Sequence, residues 1–276
     1  ELIVLVIGTI LLGVFFWAET KIKTPMLPVT LMKDRRFVLV SAQTLVLFAG
    51  FQSAMYFLSF LYIQAFGYTA LQAGAASLPI SVIVFFISAR AGHMATIYGP
   101  RLILFSSAAL MAISLFWLSF ADGNYLRSVF PGMIVMGIAV GLFAAPLTTV
   151  AMAAAGPGRD GLASGVNNAV SRIGPLLGIA VFGYWIGGDY ALNLTTALSD
   201  TNLSADKQAF LIDNRAMIAA ITLPADWPLA EQENIMRLIR SLFASSLQEV
   251  LRISALFAVG AAILALFYRK DDARSE

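Results

Sequence analysis

No cysteine occurs among the 276 residues, and the chain carries one histidine, 16 acids, and 18 lysines and arginines. Without thiols it has no disulfide framework, no thiolate metal site and no cysteine nucleophile. Charged residues make up 12% of the sequence, about half the share found in soluble domains, where it is about 25%. The formal net charge of +2 is dispersed and offers no basic surface for nucleic acid. A phosphate loop of the form G-x-x-x-x-G-K-[ST] is missing, which argues against an ATP-driven pump. His93 alone, with so few acids, leaves no converging acid–base or nucleophile–base set for a membrane-embedded enzyme. No catalytic residue, cofactor or metal ligand is therefore expected. A cationic leader is also missing: Glu1 runs directly into LIVLVIGTILLGVFFW, so the chain reads as a fragment rather than as one opening on a signal peptide.

What fills the sequence is apolar. Hydrophobic residues make up 59% and the mean hydropathy is +0.81, the profile of a membrane protein. Seven apolar runs, at about 2–18, 37–63, 74–90, 102–120, 129–153, 162–186 and 250–268, approach the roughly 20 helical residues that cross a hydrocarbon core. They are continuous rather than alternating, so helices are expected and barrel strands are not. The organisation predicted is a truncated span at 1–18, a cytoplasmic loop at 19–36, spans within 37–186, a long loop at 187–249, a last span at 250–268 and a tail at 269–276. Within the long loop, DKQAFLIDNRAMIAAI and LAEQENIMRLIRSLFASSL read as two amphipathic surface helices flanking LPADWP.

Charge orients the bundle. Lys21, Lys23, Lys33, Arg35 and Arg36 follow the first run, Arg90 and Arg101 come two runs later, Arg159 two later again, and Arg269, Lys270 and Arg274 close the chain. The intervening short loops hold Arg127 alone. The positive-inside bias makes the first set cytoplasmic and the 187–249 loop external, since long translocated loops are exempt from the count. Sequons at Asn193 and Asn202 lie in that loop and are read as chance occurrences.

Polar residues inside spans carry the functional signal. Ser41, Thr44, Gln52, Tyr56 and Ser59 share one face of the second run, each within about 60° of Ser41 on a helical wheel. That stripe reads as the wall of a wet cavity or as helix-to-helix hydrogen bonding. In the fifth run Gly137, Gly141, Ala144 and Thr148 form a small-residue face for close packing, and Pro146 marks a kink or a hinge. In the sixth, Arg172 follows Asn167 and Asn168 and precedes Gly174, Pro175 and Gly178. It would sit about 16 Å along a helix starting at Gly161, where a cation costs at least about 2.5 kcal/mol. Three placements are open: an interior structural or gating role, snorkelling to the headgroups, or contact with substrate. The glycines and proline after it read as a closely packed crossing point.

The ordered set MKDRRFVLVSAQTL, YIQAFGYTALQAGAASLP, AGHMATIYGPR, PGMIVMGIAVGLFAAP and GLASGVNNAVSRIGPLLGIAVFG resembles the C-terminal part of the fourteen-helix drug:proton antiporters of the major facilitator superfamily, the EmrB/QacA type. The resemblance covers nearly the whole chain. It implies an all-α transmembrane fold: a six-helix C-terminal bundle, one preceding linker helix and a long external loop before the last helix. It also implies a multi-pass protein of the cell membrane, a bacterial inner membrane, embedded in the lipid bilayer. Such a carrier exports a small amphiphilic or cationic substrate in exchange for a proton by alternating access, and its N-terminal helix bundle is missing from this chain. GHMATIYGPR is similar to the superfamily's cytoplasmic loop motif, in which a glycine starts a tight turn. Gly92, Gly99 and Arg101 match and Arg90 lies beside it, but Thr96 stands at the acid and Ile97 at an arginine of the pattern. No acid is buried between residues 37 and 186, so a proton-carrying carboxylate is expected in the missing half. Other readings are an exporter of an endogenous amphiphile (lipid, siderophore or metabolite), and a non-transporting membrane sensor.

Overall fold

The computed structural model describes residues 2–19, 21–22, 34–156, 158–201 and 203–268. Lys23, Lys33, the Asn202 sequon and the tail with Arg269, Lys270 and Arg274 lie outside the described residues. The α-helices are α1 (Leu2–Glu19), α2 (Arg35–Phe60), α3 (Ala70–Ala76), α4 (Leu78–Tyr98), α5 (Pro100–Leu118), α6 (Phe130–Ala155), α7 (Asp160–Ser199), α8 (Ala205–Asp213) and α9 (Leu229–Leu266). Among the described residues there is no strand. The segments Arg35–Ala65, Ala70–Tyr98, Pro100–Leu118, Tyr125–Ala155, Gly161–Ser199 and Leu229–Leu266 are each long and apolar enough to cross a membrane. The stretch 2–18, expected as a seventh span, forms the helix α1, which is not among these six segments and exposes Val6, Ile10, Leu11 and Trp17.

Local chemistry sets the helix ends. Asp34 caps α2, accepting from the backbone N–H of Arg36 at 2.8 Å. Thr69 and Gln72 form a reciprocal capping box at the start of α3, satisfying two donors that would otherwise be orphaned. Gly99, with φ +83°, turns the chain between α4 and α5, and Pro100 then opens α5; that backbone region favours glycine. In the turn before α6 the Ser128 hydroxyl lies 2.7 Å from Asp122 Oδ1, and this hydrogen bond holds the Asp122 carboxyl below its ordinary pKa.

Two helices overrun the expected limits. The sixth span was expected to stop at 186, yet α7 continues to Ser199; the surface helix expected in LAEQENIMRLIRSLFASSL is not separate, but runs on into the last span as α9. At 40 and 38 residues they are about 60 Å long, twice the roughly 30 Å hydrocarbon thickness. The reason is that a drop in hydropathy does not break a helix. Tyr190, Leu194 and Leu198 recur every four residues and are buried, as are Ile235, Ile239, Phe243 and Leu247, while α9 begins at a true breaker, Pro228. The connection between these helices shrinks to about 200–228 and holds α8 and a 3₁₀ turn, Arg215–Ala220. Lys207 pairs with Glu231 and sits over the Trp227 ring, fastening this cap to α9.

The core lies among α2, α5, α6 and α9, where Leu47, Leu104, Met111, Leu115, Met133 and Met136 are fully buried. Gln43 ties α2 to α9 in this core: its amide donates to the Ala261 carbonyl at 3.2 Å, and its carbonyl accepts from Tyr268 Oη at 2.6 Å. By contrast, only 11% of the apolar stretch of the α3–α4 segment is buried, against 56% for that of α6. α4 packs against α6, and Val82, Phe85 and Phe86 face outward. The bundle is thus closed on one side and uncovered along α4 and α7.

Candidate functional site

α2 and α7 run parallel, because Thr44 meets Asn167 near one end and Phe57 meets Gly183 near the other. In the lower part they touch backbone to backbone. A Cβ added at Gly174 would stand 2.9 Å from the Leu45 carbonyl oxygen, and one at Gly178 2.6 Å from that of Ala49; only residues without a side chain allow such an approach. Ser53 donates across the same seam to the carbonyl of Pro175 at 3.2 Å. Gly174, Pro175 and Gly178 are all buried there.

Higher up the two helices part. The nearest atom to a Cβ at Gly183 is Phe57 Cζ at 3.8 Å, and nothing lies within 4 Å at Gly187. The resulting wedge holds about 270 Å³; Tyr56, Phe60 and Gln64 line one side, Met217 and Ile218 of the 3₁₀ turn another, and Phe243 of α9 also borders it. Ile218 has φ +52° and ψ −131°, a conformation foreign to a β-branched residue and costing on the order of 1–3 kcal/mol.

The predicted stripe on α2 divides. Gln52, Tyr56 and Ser59 are exposed and Ser41 is half-buried, whereas Thr44 is turned fully inward. Its hydroxyl lies 2.8 Å from the Val40 carbonyl oxygen and 3.1 Å from Asn167 Oδ1, so Thr44 belongs to helix packing rather than to an open wall. Phe48, between these turns, stands edge-on to Phe143 of α6 at 5.5 Å.

Arg172 and Asn168 require a correction: neither is buried in this bundle, and Asn167 is half-buried. Position 172 lies about 120–160° round α7 from the Gly174–Gly178 edge, so packing that edge on α2 turns Arg172 away. Among the described residues Arg172 has no hydrogen bond or ion pair, while Asn168 reaches Ser164 at 3.5 Å. Registry fixes its level along α2. With Thr44 beside Asn167 and Leu45 beside Gly174, Arg172 stands level with about the third turn of α2, roughly 18 Å above Asp34.

The loop motif is also relocated. Gly92 lies inside α4, fully in the open, and the turn falls at Gly99. The reason is local: GHMATIY contains no helix breaker, so α4 continues to Tyr98. Arg90 donates to its own helix at the Phe86 carbonyl, and Arg101 is exposed at the start of α5. Gly137 and Gly141 face Ile80, Ile83 and Ile87 of α4 at contact distance, and Pro146 is buried within an α6 that stays helical. Three partners escaped the sequence reading: Gln43, Ser53 and Asp189. Asp189 Oδ2 is 2.6 Å from Ser246 Oγ and 3.0 Å from Asn193 Nδ2. A span that ended at 186 left this acid out.

Residues 2–179, more than half of the chain, match the model of the Major Facilitator Superfamily. The chain is similar to the multidrug resistance protein Stp of Mycobacterium tuberculosis, with 29% identity over 192 residues covering 68% of this chain and 36% of that protein. It is similar also to the multidrug export protein EmrB of Escherichia coli, with 26% identity over 186 residues covering 66% and 36%. The fatty acid resistance protein FarB of Neisseria gonorrhoeae shows 25% identity over 172 residues covering 62% and 34%. The chain thus spans about a third of the length of the curated relatives it matches. A helical bundle with six segments among the described residues long and apolar enough to cross a membrane, together with this family match, identifies a multi-pass membrane protein: the chain belongs to the Major Facilitator Superfamily.

Proposed function

We propose that α2 to α9 form the C-terminal six-helix bundle of a proton-coupled multidrug exporter of the bacterial inner membrane, with α1 a linker helix before it and α8 with the 3₁₀ turn outside the cell. Alternating access would rock this bundle against an N-terminal one about a midplane cavity, and the exposed Gln52, Tyr56 and Ser59 would form part of the cavity wall. The observation that carries the reading is the uncovered side of the molecule. α4 and α7 leave apolar faces without a neighbour, and Arg172 stands exposed on α7 with no counter-charge beside it among the described residues. A second bundle supplies both the packing and the partner. The names of Stp and EmrB point to drugs as the cargo.

Proton coupling needs an acid that is exposed alternately to the two sides. Between Phe37 and Ile186 the sequence has two acids, Asp122 in the turn before α6 and Asp160 as the first residue of α7; neither falls in the middle of a span, so the titrating group is assigned to the other bundle. The test is the full-length protein in proteoliposomes under an imposed pH gradient. Movement of rhodamine 6G that stops with an uncoupler supports the reading; no movement under any gradient overturns it. An endogenous amphiphile as cargo is the second reading, favoured by the uncharged lining beside Tyr56 and by a relative named for fatty acid resistance. It is distinguished by whether a long-chain fatty acid, and not a second dye, displaces the cargo.

A further inference from the structure

The wedge above the α2–α7 crossing is not explained by packing, because two glycines four residues apart, Gly183 and Gly187, hold it open instead of closing it. Its lining is aromatic and uncharged. Tyr56 stands edge-on to Phe57 at 5.2 Å and lies 5.2 Å from Phe60 at 60°, and the side-chain hydrogen-bonding groups are the Tyr56 hydroxyl and the Gln64 amide. The wall on the loop side is Met217 and Ile218, and Ile218 is held in a backbone conformation that only glycine adopts freely.

We propose that this wedge is a binding subsite for the planar aromatic end of an apolar molecule, neutral or bearing a delocalised cation, and that the 3₁₀ turn Arg215–Ala220 is its displaceable wall. The proposal rests on the transporter reading above. Each part follows from the chemistry of the lining. A compact ammonium or carboxylate would lose its hydration and find no opposite charge, whereas a delocalised cation is attracted to Tyr and Phe ring faces. The volume of about 270 Å³ falls short of the roughly 300–1,000 Å³ that encloses a whole ligand, so the wedge takes one ring system and leaves the rest of the molecule outside. Moving the wall releases the strain at Ile218, and the Met217 side chain is unbranched and adapts to different shapes. Two hydrogen-bonding groups at one margin set the orientation of the bound ring without selecting a single compound.

The experiment uses the full-length protein in nanodiscs with rhodamine 6G as the probe, read by fluorescence polarisation, alongside dye transport in proteoliposomes. Gly187→Leu fills the wedge from α7, where no atom lies within 4 Å, and Met217→Trp fills it from the loop, where Met217 is 57% exposed. Both are expected to weaken rhodamine 6G binding about tenfold with thermal midpoint and gel-filtration profile unchanged. Gly74→Leu, at an equally open glycine on α3, is expected to bind as wild type. If the wild type transports the dye, and both wedge variants fold, bind and transport it unchanged, the subsite is overturned and the transporter reading stands. If the wild-type protein neither binds nor moves the dye, both fall.

Discussion

α7 carries two pairs of glycines against the same neighbour, and they do opposite things. At Gly174 and Gly178 the α2 backbone lies so near that a single added carbon would collide with a carbonyl oxygen; at Gly183 and Gly187 it would meet nothing closer than 3.8 Å. The lower pair is a closely packed seam, reinforced by the bond from Ser53 to the Pro175 carbonyl. The upper pair is an opening, bordered by aromatic rings and closed by a strained loop. Glycine spacing alone therefore announces that side chains are missing, not whether a neighbour occupies the space. What decides between seam and opening is the crossing of the helices, a property of the whole bundle.

The largest effect expected of any single change to this comparison comes from closing the lower seam. Gly178→Leu forces carbon atoms against Ser53 and the Ala49 carbonyl; the serine side chain can rotate but the backbone carbonyl cannot, and the change is expected to cost about 3 kcal/mol or more. The readout is loss of the monodisperse peak and of the thermal transition in detergent. Gln43→Leu tests the other fastening of α2, the one to α9. It removes both hydrogen bonds of the buried Gln43 side chain, to the Ala261 carbonyl and to Tyr268 Oη, and is expected to destabilise by about 2 kcal/mol in a denaturation series. Ser53→Ala removes one hydrogen bond from the seam while leaving its close approach intact, for a loss of about 1 kcal/mol. Ile218→Gly acts on the opening. It relieves the positive φ and is expected to stabilise by about 0.5–1 kcal/mol, since the strain relieved exceeds the added backbone freedom of glycine. A larger loss from Ser53→Ala than from Gly178→Leu would invert the comparison.

The spans themselves were legible, because runs of seventeen or more apolar residues have one membrane-compatible conformation. The polar ends of α7 and α9 were not. Hydropathy tracks the surrounding solvent, and a helix leaving the bilayer stays helical until a breaker such as Pro228 stops it. The close packing at Gly174 and Gly178 could be suspected from small residues around a proline; the open wedge could not, since it depends on a loop some thirty residues away in sequence folding back over α7. Arg172 shows the limit most sharply. Ser164, Asn168 and Ser171 made its face polar on a wheel, but the direction of that face is set by which edge of α7 meets α2, and this rests on glycines two and six residues further on. Gly92 resembles the turn glycine of the loop motif, although nothing in its own stretch interrupts a helix; the positive φ falls at Gly99, directly before a proline.

The most direct measurement uses the lack of cysteine in this chain. A cysteine placed at Gln52, on the exposed polar face of α2, is compared with one at Phe116, on the exposed apolar face of α5, by reaction with a charged, membrane-impermeant maleimide in the full-length protein. The account predicts that Gln52→Cys reacts, that rhodamine 6G slows the reaction, and that Phe116→Cys does not react. Equal inertness at both positions, with or without dye, would mean that the α2 face looks into lipid and that no transport cavity lies beside it.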